Sequence, residues 1–169
     1  MGIADLAFHE NVLYVLTGYR ESPLQVFALD PATGAVIGDP MGVSIQTVQG
    51  RPAPDADGFT VLPNGNFLIN DKDGVDCACP YREYNATTGR LIPPPQGLEI
   101  NLGNYGFTKA TGVAIAPDGQ SLYFVCDSTT ILQTRTIVQT DLAGNLMCSQ
   151  DIQSPVQIFI EDIDVVVVP

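Results

Sequence analysis

The sequence predicts an all-β protein built from tandem four-stranded antiparallel units, and three observations lead there. Of its 169 residues 45% are apolar, yet no stretch sustains a 3.6-residue period, so short strands carry the apolar residues. Gly 16 and Pro 13 exceed ordinary usage and punctuate the apolar runs as turns. The passage "GVAIAPDGQSLYFVCDS" at 112–128 reads strand, tight turn, strand, and it is echoed twice upstream at intervals of about 55 residues. A chain of this length and apolar content fills one core, so 1–169 is expected to be a single domain.

The elements follow from setting the three passages in register. Asn64-Gly65 and Asp118-Gly119 lie 54 residues apart, and both dipeptides accept positive φ at the two central positions of a type I′ hairpin. Leu13, Leu68 and Leu122 recur at spacings of 55 and 54, followed by Tyr14, Ile69 and Tyr123, which sets the second strands in one register. Further on, "FALDPATGAVI", "REYNATTGRLI" and "VQTDLAGNLM" place Gly34, Gly89 and Gly144 at intervals of 55, each in an Asx-and-glycine turn. Each unit therefore has an inner strand (IADLAF, GFTVL, GVAIA), a second (NVLYVL, NFLIN, SLYFV), a third (LQVFAL, PYREY, TIVQT) and an outer one (GAVIG, GRLIP, GNLMC). "RPAPDADG" and "LIPPPQG" read as exposed connections between units.

A lone four-stranded meander leaves both broad faces wet, and repeats of this length dry them by packing face to face around an axis. The expected fold is thus three four-stranded antiparallel propeller blades, about 1–55, 56–109 and 110–159, plus a partial fourth at 160–169. In that last stretch "IEDIDVV" resembles "IADLAF", with Asp162 matching Asp5 and Ile163 matching Leu6. Three wedges do not close a ring, so the chain is expected to be half of a six-bladed propeller completed as a homodimer. Two other completions stay open, the remainder of a longer propeller and a last strand that finishes a neighbour's sheet. A β-sandwich of hairpins is the alternative fold.

The stretch "TGVAIAPDGQSLYFVCDS" resembles the blade signature of gluconolactonase-like six-bladed propellers, in which Asn-Gly, Pro-Asp-Gly, Leu-Tyr and Asp-Ser follow in order. The likeness spans about eighteen residues, with looser echoes at 2–18 and 58–73. In the lactonase branch it implies a catalytic divalent metal held by the Asn of Asn-Gly and the Asp of Asp-Ser. Asp127 matches that Asp, whereas Thr111 stands at the Asn position, and a hydroxyl is a poorer ligand than an amide carbonyl for a hard cation. With Trp 0, the chain also lacks a Glu-Pro-Trp-like opening ligand.

Charge narrows the function classes. Seven basic residues against 19 acidic give −12, which repels phosphate backbones and anionic membrane surfaces and favours a cation or a basic partner. No apolar run reaches the roughly 18 residues of a membrane span. The opening MGIADLAFHE has no signal-peptide pattern, and the closing Val-Pro shares two residues with the Val-Pro-Glu-Pro sorting tail of bacterial surface proteins.

"NDKDGVDCAC" carries the strongest ligand motif: Asp71, Asp73 and Asp76 crowd three carboxylates around Gly74, where a turn converges them on Ca²⁺. The ordered positions and distant Glu of an EF-hand are missing, and an acidic, solvated loop is the plain alternative. Asp73 and Asp127 each fall five residues after Leu68 and Leu122, so the candidate metal ligands are Asp71, Asp73, Asp76 and Asp127, with Ca²⁺ as the implied cofactor. Cys77 and Cys79 in the same loop read as a short disulfide, half of a thiolate site or two separate thiols. Cys126 and Cys148 fall on second and fourth strands, about 9–10 Å apart and beyond disulfide reach, and read as buried, free and apolar in role. His9, the only histidine, reads as a hairpin-turn residue with no nucleophile elbow beside it. The sequon Asn85-Ala86-Thr87 coincides with a turn that already needs an Asx residue.

The expectation is a β-propeller interaction or ligand-binding module with an acidic rim. A metal-dependent lactonase or esterase using Asp127 and Asp73 is the alternative, and a structural display protein of the cell surface is the third reading.

Overall fold

The computed structural model describes residues 2–18, 24–46, 56, 58–70, 80–128, 135–152 and 163. Three antiparallel sheets follow one another along the chain. Sheet 1 holds β1 (Ile3–His9), β2 (Val12–Thr17), β3 (Gln25–Leu29), β4 (Val36–Ile37) and β5 (Val43–Ser44). Sheet 2 holds β6 (Phe59–Val61), β7 (Phe67–Asn70), β8 (Tyr81–Tyr84) and β9 (Glu99–Ile100). After a 3-10 turn at Leu102–Tyr105, sheet 3 holds β10 (Phe107–Ile115), β11 (Ser121–Ser128), β12 (Arg135–Asp141) and β13 (Leu146–Ile152). Each sheet is a meander in chain order, β1-β2-β3-β4, β6-β7-β8-β9 and β10-β11-β12-β13, with β5 also pairing with β3. The all-β expectation and its four-strand units hold.

The Asx-and-glycine turns form as their side chains dictate. Asp30 Oδ1 accepts the amides of Ala32 and Thr33 at 2.8 and 3.2 Å, Asn85 Oδ1 those of Thr87 and Thr88 at 3.0 and 2.9 Å, and Asp141 Oδ1 those of Ala143 and Asn145 at 2.9 and 2.8 Å. Gly34, Gly89 and Gly144 close them at φ +70°, +65° and +84°. The Asn145 side chain first, then backbone amides, hold the Asp141 carboxyl below its ordinary range.

The first hairpins differ from the type I′ expectation. Gly65 and Gly119 carry φ of +82° and +68°, while among non-glycine residues only Glu10 and Asn11 have positive φ among the described residues, at 47° and 63°. Leu62 O accepts from Gly65 N, and Ala116 O from Gly119 N, both at 2.8 Å, so Pro63 and Pro117 lead turns with a single left-handed glycine at the end. Proline favours that geometry because its φ is preset for the first central position of a type I turn. The two-residue turn with both positions left-handed is Glu10-Asn11, and His9 is the last residue of β1, paired with Val12, rather than a turn residue.

These unequal turns shift the register. Val12, Asn66 and Ser121 are the first ladder residues after their turns, because they face His9, Leu62 and Ala116. Leu13 is therefore equivalent to Phe67 and Leu122, and Leu68 stands one residue out of the expected column. A one-residue slip moves a side chain to the opposite face of the sheet. Leu68 accordingly packs in the core shared with Leu122 and Phe124, whereas Phe67 packs in the core shared with Leu16 and Val26.

The outer edges of sheets 1 and 2 are interrupted. β4 pairs with Ala28 and Leu29, and β5 with Gln25 and Val26, so residues 38–42 bulge out between two halves of one edge. In sheet 2 Leu91 bridges Tyr84, Ile92 N donates to Glu83 O at 2.9 Å and Leu98 O accepts from Glu83 N at 3.0 Å, so residues 93–97 loop out between them before β9 pairs with Tyr81 and Arg82. "LIPPPQG" is thus an excursion within a sheet edge, not a connection between sheets. β13 runs unbroken opposite β12.

Sheet 2 is dry on both faces. Phe59, Val61, Phe67, Ile69 and Tyr84 join Leu16, Leu24, Val26 and Ile45 in one core cluster. Leu68, Tyr81 and Ile100 join Leu122, Phe124, Cys126 and Val138 in the other. Rings meet across both seams: Tyr14 and Phe67 edge-to-face at 5.8 Å, Tyr81 and Phe124 tilted at 4.9 Å. Polar ties fix the seams. Asp5 Oδ2 accepts from Phe59 N at 2.7 Å, Asn70 Nδ2 donates to Ala110 O at 2.6 Å, and Gln46 N donates to Gly89 O at 2.8 Å.

Gly89 sits where sheet 2 touches sheet 1, and a Cβ there would collide with the Ser44 carbonyl, while Gly34 in the matching turn of sheet 1 has nothing within 4 Å. Both substitutions to Ala carry the left-handed penalty of about 1–2 kcal/mol. Gly34→Ala is expected to cost about that much, and Gly89→Ala at least about 2 kcal/mol more, because backbone must move at a seam. Denaturant midpoints at equal m-value test this, and equal losses would refute the seam.

Candidate functional site

The inner strands of the three sheets lie side by side in the order β1, β6, β10. They border a concavity of about 730 Å³ that the hairpin turns following each strand also line. Both sides of the pleat border the space, Leu6 and Phe8 with Ala7 on β1, and Val113 and Ile115 with Ala114 on β10. Ile163 lines it as well, which places the residue matched to Leu6 in the same space as Leu6.

The turn side of the concavity is polar. His9, Glu10 and Asp118 are its titratable lining groups among the described residues, joined by the Thr60 hydroxyl. Glu10 holds its position in left-handed backbone at φ 47°, a conformation that costs a non-glycine residue about 1–2 kcal/mol. Asp118 Oδ1 accepts from Gln120 N at 2.9 Å, which orients its carboxylate at the tip of the turn. Burial, and then the nearby Glu10 carboxylate, push the Tyr14 phenol above its ordinary value. The lining is an apolar wall with two carboxylates and one imidazole at its rim, suited to an apolar group that carries positive charge.

Of the residues singled out from sequence as metal ligands, Asp71, Asp73 and Asp76 lie outside the described residues, as do Cys77 and Cys79. Asp127 belongs to β11, where its backbone pairs with Lys109 and Arg135. Leu122, at the turn end of β11, faces Ile115, so Asp127 is five ladder positions, about 17 Å, from the turn that carries Asp118. The acidic turns and Asp127 therefore stand at opposite ends of sheet 3. Thr111 is buried in an irregular step of β10 between Ala110 and Gly112.

The two described cysteines are free, as expected, but only Cys126 is buried. Cys148 is exposed because β13 is the outer strand, and its thiol donates to Gln139 Oε1 at 3.3 Å. Burial pushes the Cys126 thiol up to about 12 from an ordinary 9.0.

Sequence reasoning passed over three polar residues that position the site. Asp5, Asn70 and Glu83 are buried. Glu83 Oε1 accepts from Asn64 Nδ2 and Asn66 Nδ2 at 2.8 and 2.7 Å, and Oε2 from Leu98 N at 2.9 Å, so one carboxylate ties the β6–β7 turn to the end of the 93–97 excursion. Asp5 carried a signal, a lone acidic residue inside the apolar run "IADLAF"; Asn70 at the end of "NFLIN" and Glu83 beside Arg82 in "YREY" carried none.

Because the folded Cys126 thiol holds its proton more tightly than the unfolded one, its contribution to stability is complete below about pH 9 and declines as pH rises toward about 12. Cys126→Ala is expected to flatten the loss of stability between pH 8 and 10.5 relative to the parent, read from denaturant midpoints. Peptide-mapped alkylation at pH 8 is expected to modify Cys148 and spare Cys126. Equal labelling of the two would contradict the burial.

No match was found among protein-family models or curated proteins. Among solved structures, one described as "Crystal structure of the eukaryotic initiation factor" is similar over 89% of this chain at 15% identity and a TM-score of 0.46. The chain spans 32% of that protein's length.

Proposed function

We propose that the protein is an arc of a β-propeller that acts as a ligand-binding or interaction module, with the concavity at the inner strands as its binding surface. One observation carries this reading: the inner strands of three separate sheets line a single space with an apolar wall and an acidic rim. The three stacked meanders and the blade-like passage at 111–128 support the propeller arrangement, whose ring is completed by a second copy or by further blades. Its ligand is an organic cation or a basic peptide segment, since Glu10 and Asp118 stand at the rim of a chain carrying −12.

A thermal-shift series with polyamines and short lysine-containing peptides is the test. A member of the series is expected to raise Tm, and Glu10→Gln with Asp118→Asn is expected to weaken its binding by about tenfold or more. Unchanged binding in the double variant, or no shift with any probe at millimolar concentration, would refute the assignment.

The Pro117-Asp118-Gly119 and Asp127-Ser128 passages favour one second reading, a metal-dependent lactonase or esterase with Asp127 and Asp73 as ligands. Calcium at millimolar concentration is expected to raise Tm under that reading and to leave it unmoved under the first.

A further inference from the structure

We infer that the seam between sheets 1 and 2 holds a second binding site, under the bulge at residues 38–42, for a small organic ammonium ion whose apolar body is about the size of one aromatic ring. The site is separate from the concavity at the inner strands and does not depend on the propeller-arc reading.

It exists because one place in this seam lacks a side chain that the next seam has. Tyr14 pairs with Ala28 and Leu68 with Glu83, so Ala28 and Glu83 occupy equivalent places, each on the face turned to the following sheet. At the second seam Glu83 fills that place and is pinned by Asn64, Asn66 and the Leu98 amide. At the first seam the methyl group of Ala28 leaves a cavity of about 220 Å³.

The walls of the cavity are held in place from both sheets. The buried Val26 and Phe67 line it with Tyr14, whose ring meets Phe67 edge to face, and Ala86 and Thr87 border it from the turn of sheet 2. Asp39 lines it from the bulge and also shapes that bulge, since its Oδ1 accepts from Met41 N at 2.8 Å and its carbonyl from Gly42 N at 2.9 Å. A Cβ at Gly42 would stand 2.8 Å from the Val26 carbonyl, so only glycine lets the bulge lie this close to β3. Ile37 lines the cavity yet is 47% exposed, which opens its mouth to solvent.

Size and charge define the occupant. A dry space of roughly 150 Å³ accommodates a benzene ring, so one ring or a chain of a few carbons fits here. Asp39 is the charged residue among the described residues that line the cavity, in a chain of net charge −12, so a cation is favoured and an anion repelled. The Tyr14 and Phe67 rings add attraction for an ammonium group over a neutral one.

The test is a titration of the full chain with 2-phenylethylammonium, followed by NMR of methyl-labelled Ala, Ile and Val. Saturating shifts are expected at Ala28, Val43 and Ala86 with Kd below about 1 mM, while Val113 and Ile115 of the concavity stay unmoved. Asp39→Asn, which keeps the acceptor for Met41 N, is expected to weaken binding about tenfold. Ala28→Leu fills the space and is expected to weaken it about tenfold or more, with the denaturant midpoint level or raised. Circular dichroism confirms that each variant is folded. Absence of shifts at about 10 mM probe overturns the inference, as does undiminished binding in Asp39→Asn or in Ala28→Leu. Shifts confined to Val113 and Ile115 place the probe in the concavity, which overturns the second site and leaves the proposed function standing.

Discussion

A four-stranded meander has two broad faces and can dry neither by itself, so the stacking of sheet 2 between its neighbours governs the rest of the structure. Strand alternation makes that stacking possible: Phe67 and Ile69 point one way from β7, and Leu68 and Asn70 the other. Large aromatic side chains span the seams on both sides, at the Tyr14–Phe67 and Tyr81–Phe124 contacts. Because each ring fills a gap set by a particular register, a slip of one residue in β7 would exchange both cores at once.

Apolar stacking is non-directional, and the polar ties supply direction. Asp5 reaches across the inner end of the first seam to the Phe59 amide, and Gln46 meets Gly89 at its outer end. Asn70 bonds the Ala110 carbonyl across the second seam. The buried Asp5 carboxylate and Asn70 side-chain amide cost solvation energy that the Phe59 amide and the Ala110 carbonyl offset in part, and an apolar substitute would leave those partners unsatisfied. The inner strands are thereby held side by side, which brings residues from β1, β6 and β10 around one concavity and sets Glu10 and Asp118 at its edge. Local strain at Glu10 is tolerated because ladders on both sides of the turn fix its backbone.

What could be read from sequence was what local chemistry decides. Asp30, Asn85 and Asp141 cap their own turns whatever surrounds them, so all three turns and the strands beside them were legible. The register of β7 was not, because the turns Glu10-Asn11, Pro63–Gly65 and Pro117–Gln120 differ in length, and matching leucines disguised the slip. The broken outer edges of sheets 1 and 2 were equally hidden, since "GAVIG" and "GRLIP" hold strand-forming residues that pair for only one or two positions. At the candidate site, the sequence reading set the acidic rim at Asp73 and Asp127, whereas Glu10 and Asp118 border the concavity at the end of sheet 3 away from Asp127. The convergence of three inner strands was not legible either, for it depends on contacts far apart in sequence. The sequence places Cys148 on the outer strand, but its exposure there was not legible, because a small apolar side chain reads the same on a covered strand and an open one.

The faces to which the β7 side chains point decide both seams. Isotope-edited nuclear Overhauser measurements with selectively labelled Phe, Tyr and Leu read them directly. Cross-peaks are expected between the Phe67 and Tyr14 rings and between the Tyr81 and Phe124 rings, at centroid separations of 5.8 and 4.9 Å. Cross-peaks from the Leu68 methyls to Tyr14, with none from Phe67, would contradict this stacking.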